Sequence, residues 1–365
     1  MKVTCTRENL RHALVLSTKI VSGTTTLPIL NNVLLKTEPG QLIISSTNLE
    51  IAIKVTVGGQ IDEPGEITVP ARTFTDFITN LTDETVNLLS SDGNLTVHTK
   101  TTQSILKGLG SDEFPLIPQV QPKLSLQLSA QEFSDALARV SFAAASSETQ
   151  PELSGVLLFI NDNQLKLVAT DRYRLAESII SLPEPAKISE KVIIPNRAVA
   201  ELLRILTDSE GMVELIVGEN QILFRTNQVE LTSRVIEGQY PDYEQIIPTV
   251  FSSEAKLPTR EFGSALKLAG LFATESNSIE IKLEPKTGLV IESTSQKAGS
   301  NTTSVMGTLE GEANKVVFNF KYLLDCLTHA QSDKVILKVV NSASPAMLVP
   351  DGSTAYRYLV MPIKI

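Results

Sequence analysis

Asp171 is followed by two cationic side chains in the run Thr170-Asp171-Arg172-Tyr173-Arg174. A carboxylate so flanked is a candidate catalytic group, its proton affinity set by the neighbouring guanidiniums. No nucleophile or second acid completes a set, so the simpler reading is a structural ion pair. The three histidines, His12, His98 and His329, fall in different thirds of the chain and form no metal-ligand set. Cys5 and Cys326 stand 321 positions apart, which offers neither a disulfide framework nor a cysteine zinc site. Gly108-Leu109-Gly110 lacks the third glycine of a phosphate-cradling loop. Nucleophile-elbow and paired-histidine motifs are missing too. The expectation is a chain with no catalytic residues, no metal and no cofactor.

The elements around these residues repeat. Helical apolar patterns run from Arg7-Glu8 to Ile20, from Gln131-Glu132 to Phe142 and from Arg260-Glu261 to Phe272, with the glutamates 124 and 129 positions apart. A second trio starts at Val69-Pro70-Ala71-Arg72, Ile194-Pro195-Asn196-Arg197 and Phe318-Asn319-Phe320-Lys321. Proline suits a helix start because its φ is fixed and its missing N–H is not needed there. Between the helices lie β-branched runs at Leu42-Ile43-Ile44, Leu165-Lys166-Leu167-Val168 and Leu289-Val290-Ile291. Thr47, Thr170 and Thr294 follow these runs at spacings of 123 and 124. Phe114-Pro115, Tyr240-Pro241 and Met361-Pro362 close the units. The stretches 116–125 and 247–257 carry prolines without periodicity and read as linkers. The result is an α+β chain of three tandem repeats, spanning residues 1–118, 126–247 and 255–365. Each repeat has two helices and several strands, and pseudo-symmetric units of this kind can close a ring.

The length of 365 residues fits two or three domains, and 42% apolar against 20% charged residues excludes disorder. The net charge of −9 excludes a uniformly basic nucleic-acid binder but leaves room for a basic patch. Such a patch is suggested by the six repeat helices, which carry 10 basic and 7 acidic residues while the whole chain has 32 and 41. The amino terminus has no apolar signal segment and no apolar run is long enough to span a bilayer, so a cytoplasmic protein is expected. Three classes remain on these grounds. They are a ring that encloses a polyanion, an open interaction scaffold, and an enzyme with no recognisable motif.

Five runs narrow the choice. They are Thr26-Leu27-Pro28-Ile29-Leu30-Asn31-Asn32, Val69-Pro70-Ala71-Arg72, Val168-Ala169-Thr170-Asp171-Arg172-Tyr173-Arg174-Leu175-Ala176, Gly238-Gln239-Tyr240-Pro241-Asp242-Tyr243 and Tyr358-Leu359-Val360-Met361-Pro362-Ile363. In this order the chain resembles, over nearly its whole length, the bacterial DNA polymerase III beta subunit family of replicative sliding clamps. The resemblance implies the DNA clamp fold and a ring-shaped homodimer of six domains. Twelve helices about 10 Å wide would line a circle about 120 Å around, leaving a hole of nearly 30 Å or more for duplex DNA. Contacts would go to phosphates and carry no sequence information. The implied function is to tether a replicative polymerase on DNA, without catalysis. The implied partners are double-stranded DNA, the DNA polymerase III alpha subunit, the clamp loader and other proteins with a short clamp-binding peptide.

The resemblance also implies sites. A partner-peptide groove would take Leu153, Thr170, Arg172, Tyr173, Arg174, Leu175, Pro241 and Ile246 from one side. From the other it would take Asn319, Tyr322, Ala343, Pro345, Leu359, Met361, Pro362 and Ile363. Tyr322, Met361 and Leu175 would form the apolar floor. From the residues alone, Met361-Pro362 also fits a terminal strand packed on its own core. Arg72, Arg197, Lys267 and Lys321 would face DNA, and Ile105 and Leu106 would meet Leu271 and Phe272 across the dimer interface. Three departures from relatives stand out. The loop Ser22–Thr26 lacks a basic residue, Arg172-Tyr173 replaces a small residue and histidine, and Gln245 replaces an arginine found in some relatives.

Overall fold

The computed structural model describes residues 1–21, 27–147, 149–186, 188–207, 210–285 and 288–364. Among these, the helices are α1 (Arg7–Ile20), α2 (Ala71–Asn80), α3 (Ala130–Ser141), α4 (Asn196–Thr207), α5 (Thr259–Gly270) and α6 (Phe320–His329). Each continues directly from a strand, and the junction chemistry differs by repeat. Thr6 caps α1 by accepting from the Asn9 amide, and Asn319 caps α6 by accepting from the Lys321 amide at 3.0 Å. Pro70, Pro195 and Pro258 are the last strand residues before α2, α4 and α5. Proline therefore closes the strand and sits just outside the helix, one position earlier than the sequence pattern implies.

Apolar spacing fixes which helix face is buried. In α1 the buried set is Leu10, Ala13, Leu14, Ser17 and Ile20, one face of a 3.6-residue period. The Thr18 and Thr75 hydroxyls, 2.6 Å apart, tie α1 to α2. In the third repeat α5 and α6 approach so closely that a β-carbon on Gly270 would lie 2.5 Å from the Phe320 ring.

The described chain divides into two units, residues 1–131 with 197–235 and residues 132–196 with 236–365. The second repeat therefore contributes to both. In the first unit its strand Val229–Arg234 adds antiparallel to Ile51–Glu63 of the first repeat, with Leu231 opposite Ile53. In the second unit its strand Arg174–Ser181 pairs antiparallel with Tyr356–Val360 of the third repeat, with Leu175 opposite Leu359. Neighbouring repeats are thus joined by continuous sheet. Strand Gln103–Lys107 ends one sheet of the first repeat, and Gly299–Val305 ends the four-stranded sheet of the third.

One linker reading is corrected. Leu124 already begins the strand Leu124–Ser129, and residues 253–257 belong to Ser253–Pro258, paired with Lys334–Val339. The inward residues of the latter are Ser253, Ala255 and Leu257, two of them too small to make the alternation visible in the sequence.

Candidate functional site

The turn after strand Gln164–Thr170 is set by short polar side chains. Thr170 Oγ1 donates to the Arg174 carbonyl at 2.6 Å, and Asp171 Oδ1 accepts from the Tyr173 and Arg174 amides, each at 3.0 Å. Asp171 Oδ2 accepts from Arg174 Nε at 2.9 Å, so this carboxylate is a structural ion-pair member, as its setting predicts. Arg174 then gathers three further groups. Its terminal nitrogens reach Asp325 on α6 and the Phe142 carbonyl just past α3, and its guanidinium lies 4.5 Å from the Tyr322 ring centroid. The charge thereby holds Tyr322 against the turn.

Beside this assembly lies a groove of about 520 Å³ lined by Arg172, Tyr173, Ser276, Asn319, Tyr322, Met361, Pro362, Ile363 and Lys364. The chain leaves its last strand at Val360, and the Met361 amide donates to the Tyr173 carbonyl at 2.8 Å. The Ile363 amide donates to the Val317 carbonyl at 2.8 Å. Met361 is therefore half-buried on the groove wall beyond the terminal strand. Burial pushes the Tyr322 phenol up, so it stays neutral and serves as an apolar surface with a polar tip.

The other residues implied for the groove separate into two groups. Leu175 and Leu359 are buried in a cluster with Leu157, Val168, Ile193 and Tyr243 beneath the shared strands. Leu175 is therefore core and is not among the residues lining this groove, since the strand is covered on both faces and Leu175 packs into that cluster. Leu153 and Thr170 are also buried, while Pro241, Ile246 and Ala343 are exposed and Pro345 is half-buried. Ser276 and Lys364 line the groove without any sequence signal; Ser276 arrives through a loop whose Asn277 carbonyl accepts from the first amide of α6 at 3.0 Å. Gln245 donates to Asp242 at 2.7 Å. The loop of residues 22–26 lies outside the described residues.

Arg72, Arg197, Lys267 and Lys321 are all exposed. Among the described residues none has a carboxylate within ion-pair distance, whereas Arg11 and Arg204 are neutralised by Glu8 and Glu201 one turn away. Ile105 is 65% and Leu271 71% exposed, and Phe272 is half-buried with its ring beside Gly299 on an edge strand. Leu106 is buried in its own repeat, since adjacent strand residues face opposite ways. Among the described residues no three His, Cys, Asp or Glu side chains gather as a metal-binding group, and no helix is long and apolar enough to cross a membrane.

Three tandem two-helix units joined by shared sheet define the DNA clamp fold. The sequence matches the DNA polymerase III beta subunit N-terminal domain over residues 1–118, the central domain over 127–242 and the C-terminal domain over 244–364. A beta sliding clamp of Staphylococcus aureus is 32% identical over 357 residues, 95% of this chain and 94% of that relative. A DNA polymerase sliding clamp of Bacillus subtilis superposes with a TM-score of 0.96 at 27% identity, covering 100% of this chain and 99% of that one. The DNA polymerase III beta subunit of Pseudomonas aeruginosa gives 0.94 at 29% identity, with 100% of each chain covered. The chain belongs to the DNA polymerase III beta subunit family, and is a non-catalytic clamp protein.

Proposed function

We propose that two copies of this chain close head to tail into a ring of six repeats that encircles duplex DNA. The ring tethers the replicative polymerase, through the DNA polymerase III alpha subunit, and receives the clamp loader and other partners by their short peptides. The repeats run over residues 1–118, 126–247 and 255–365, and the protein works in the cytoplasm.

One observation carries this reading. The third sheet strand of the first repeat, Ile51–Glu63, pairs with the last strand of the second, and Arg174–Ser181 of the second pairs with the last strand of the third. The equivalent strand of the third repeat, Gly299–Val305, is an open edge, and so is the last strand of the first, Gln103–Lys107. A second copy satisfies both edges by the seam the chain already makes twice, and the same operation closes the circle. Exposed Ile105 and Leu271 then gain apolar cover. The unpaired Arg72, Arg197, Lys267 and Lys321 supply sequence-independent phosphate contacts. The groove of Tyr322, Met361 and Ile363 supplies the partner site.

The test is topological. With a loader present, the protein should be retained on nicked circular DNA and lost when the circle is cut. Equal retention on circular and linear DNA would refute encirclement.

A further inference from the structure

We propose that the seam between the first and second repeats carries a second docking groove, for an extended peptide that sets a leucine-sized side chain between Leu49 and Leu116 and charges of both signs against Glu50 and Arg234. It shares no lining residue with the groove beside Met361. The turn at 47–51 copies the one at 170–174. Thr47 donates to the Ile51 carbonyl, and Asn48 Oδ1 accepts from the Glu50 and Ile51 amides. The Arg234 amide donates to the Glu50 carbonyl at 2.8 Å, as the Met361 amide does to that of Tyr173. The first seam therefore has the backbone frame of the second with other side chains on it. Its tip is Leu49, at φ +76°, where Arg172 stands at +78°. Such a left-handed backbone costs glycine nothing and leucine something, and Thr47 and Asn48 already fix the turn. Leu49 is 53% exposed, so burial in its own core does not offset the strain, and its side chain is left for a ligand.

A cavity of about 290 Å³ lies beside the tip, its lining including Leu49, Leu116, Ile117, Glu50 and Arg234. Phe114 and Ile117 pin the connecting segment to Ile29 and Leu30, while Leu116 between them is 96% exposed. The main chain around Leu116 is free as well. Among the described residues, 115–122 make no backbone hydrogen bond, and Pro115, Pro118 and Pro122 hold the segment extended. A segment of this kind can pair with a second extended chain. The rim supplies the charge. Ser233 pairs with Ile51, so Arg234 and Glu50 stand opposite one another on the next rung. Both are exposed, and among the described residues neither has an ion-pair partner, whereas Glu214 and Glu230 on the same sheet are taken by Arg225. Two opposite charges left apart beside an apolar cavity complement a ligand that brings both. The occupant is an extended peptide in which leucine lies between an acidic residue, for the Arg234 guanidinium, and a basic one, for Glu50.

The probe is acetyl-Thr-Lys-Leu-Glu-Thr-amide, titrated to millimolar concentration into the full-length protein carrying 13C-labelled leucine methyls and followed by NMR. The Leu49 and Leu116 methyl signals should shift and saturate. Replacing the peptide's leucine by alanine should weaken binding about tenfold, and replacing its Lys and Glu by Gln about threefold at low salt. Leu116→Gln and Arg234→Gln should each weaken the wild-type peptide severalfold, the former read at Leu49. Melting curves establish that both variants are folded; should Arg234→Gln misfold, Leu116→Gln, at a side chain outside the core, gives the answer. Shifts confined to other leucines, no saturable shift at all, or equal binding of the leucine and alanine peptides or of the charged and Gln peptides overturns the inference.

Discussion

Leu271→Ala should open the proposed ring while leaving the subunit folded. Leu271 is 71% exposed on the isolated chain, so its side chain contributes little to the subunit's own core. Beside it, the Phe272 ring would lie 3.9 Å from a β-carbon on Gly299 of an open edge strand. Truncation removes three carbons, each worth about 0.8 kcal/mol when buried. Scaled by the residue's 71% exposure, all of it taken as covered by an interface, the loss is at most about 1.7 kcal/mol per contact. A two-subunit ring has two such contacts, so dimerisation should weaken by about 3 kcal/mol, on the order of a few hundredfold in Kd. Sedimentation velocity over a nanomolar to micromolar series measures the shift, and a melting curve tests the fold. An unchanged dimer Kd would refute the interface assignment. A clearly lowered melting temperature would show instead that Leu271 supports its own repeat. A wild type that stays monomeric at micromolar concentration would sink the ring.

Met361→Ala should weaken binding of a polymerase-derived peptide at least about tenfold, the loss of a central anchor, without unfolding the chain; anisotropy and a melting curve check both. Replacing Arg72, Arg197, Lys267 or Lys321 by Gln should lower nonspecific DNA association uniformly across sequences and make its salt dependence shallower by roughly one phosphate; altered base preference would contradict this. Burial pushes the Cys5 and Cys326 thiols up to about 12, so both should stay protonated and inert to Ellman's reagent at pH 8 until the protein is denatured. Covalent crosslinking of strand Gln103–Lys107 of one copy to Gly299–Val305 of the other should block loading onto nicked circular DNA, whereas a crosslink between Leu231 and Ile53 should permit it.

The six helices were legible because each carries a 3.6-residue apolar stripe and a definite start. Arg7 to Ile20 is α1 to the residue. The tripling was legible because Thr47 and Thr170 do the same work in equivalent turns, each donating to a carbonyl four residues on. What the sequence hid depends on contacts distant along the chain. Nothing local says that Val229–Arg234 pairs with a strand of the previous repeat, or that the second repeat contributes to two units. Leu175 and Leu106 were assigned to surfaces by resemblance, yet both are buried: strand alternation turns Leu106 inward, and the pairing with the third repeat covers Leu175. Ser276 reached the groove through a loop with no periodic pattern.

The seams differ in the residues that make them, and the difference bears on how a closed ring admits a circular template. The seam between the second and third repeats joins RLAESIIS to YRYLV, burying Leu175 against Leu359 and setting Glu177, fully buried, opposite Arg357 with Nε and Oε1 2.7 Å apart. Separating these strands would expose apolar core and strand a buried charge, a costly combination. The seam between the first and second repeats sets Leu231 against Ile53 and Val229 against Val55. The two open edges read differently. Gly299–Val305 is GSNTTSV, with one aliphatic residue, and Gln103–Lys107 is QSILK, whose exposed face carries Gln103, Ile105 and Lys107. A polar edge of that composition tolerates water when unpaired and resists random association. Closure by the proposed dimer would rest on a few apolar contacts, Leu271 and Ile105 among them, added to a backbone ladder that water can replace. In the proposed ring the weakest joints would therefore be the two between chains, so that a loader would need to overcome only one of them while the internal seams keep each subunit intact.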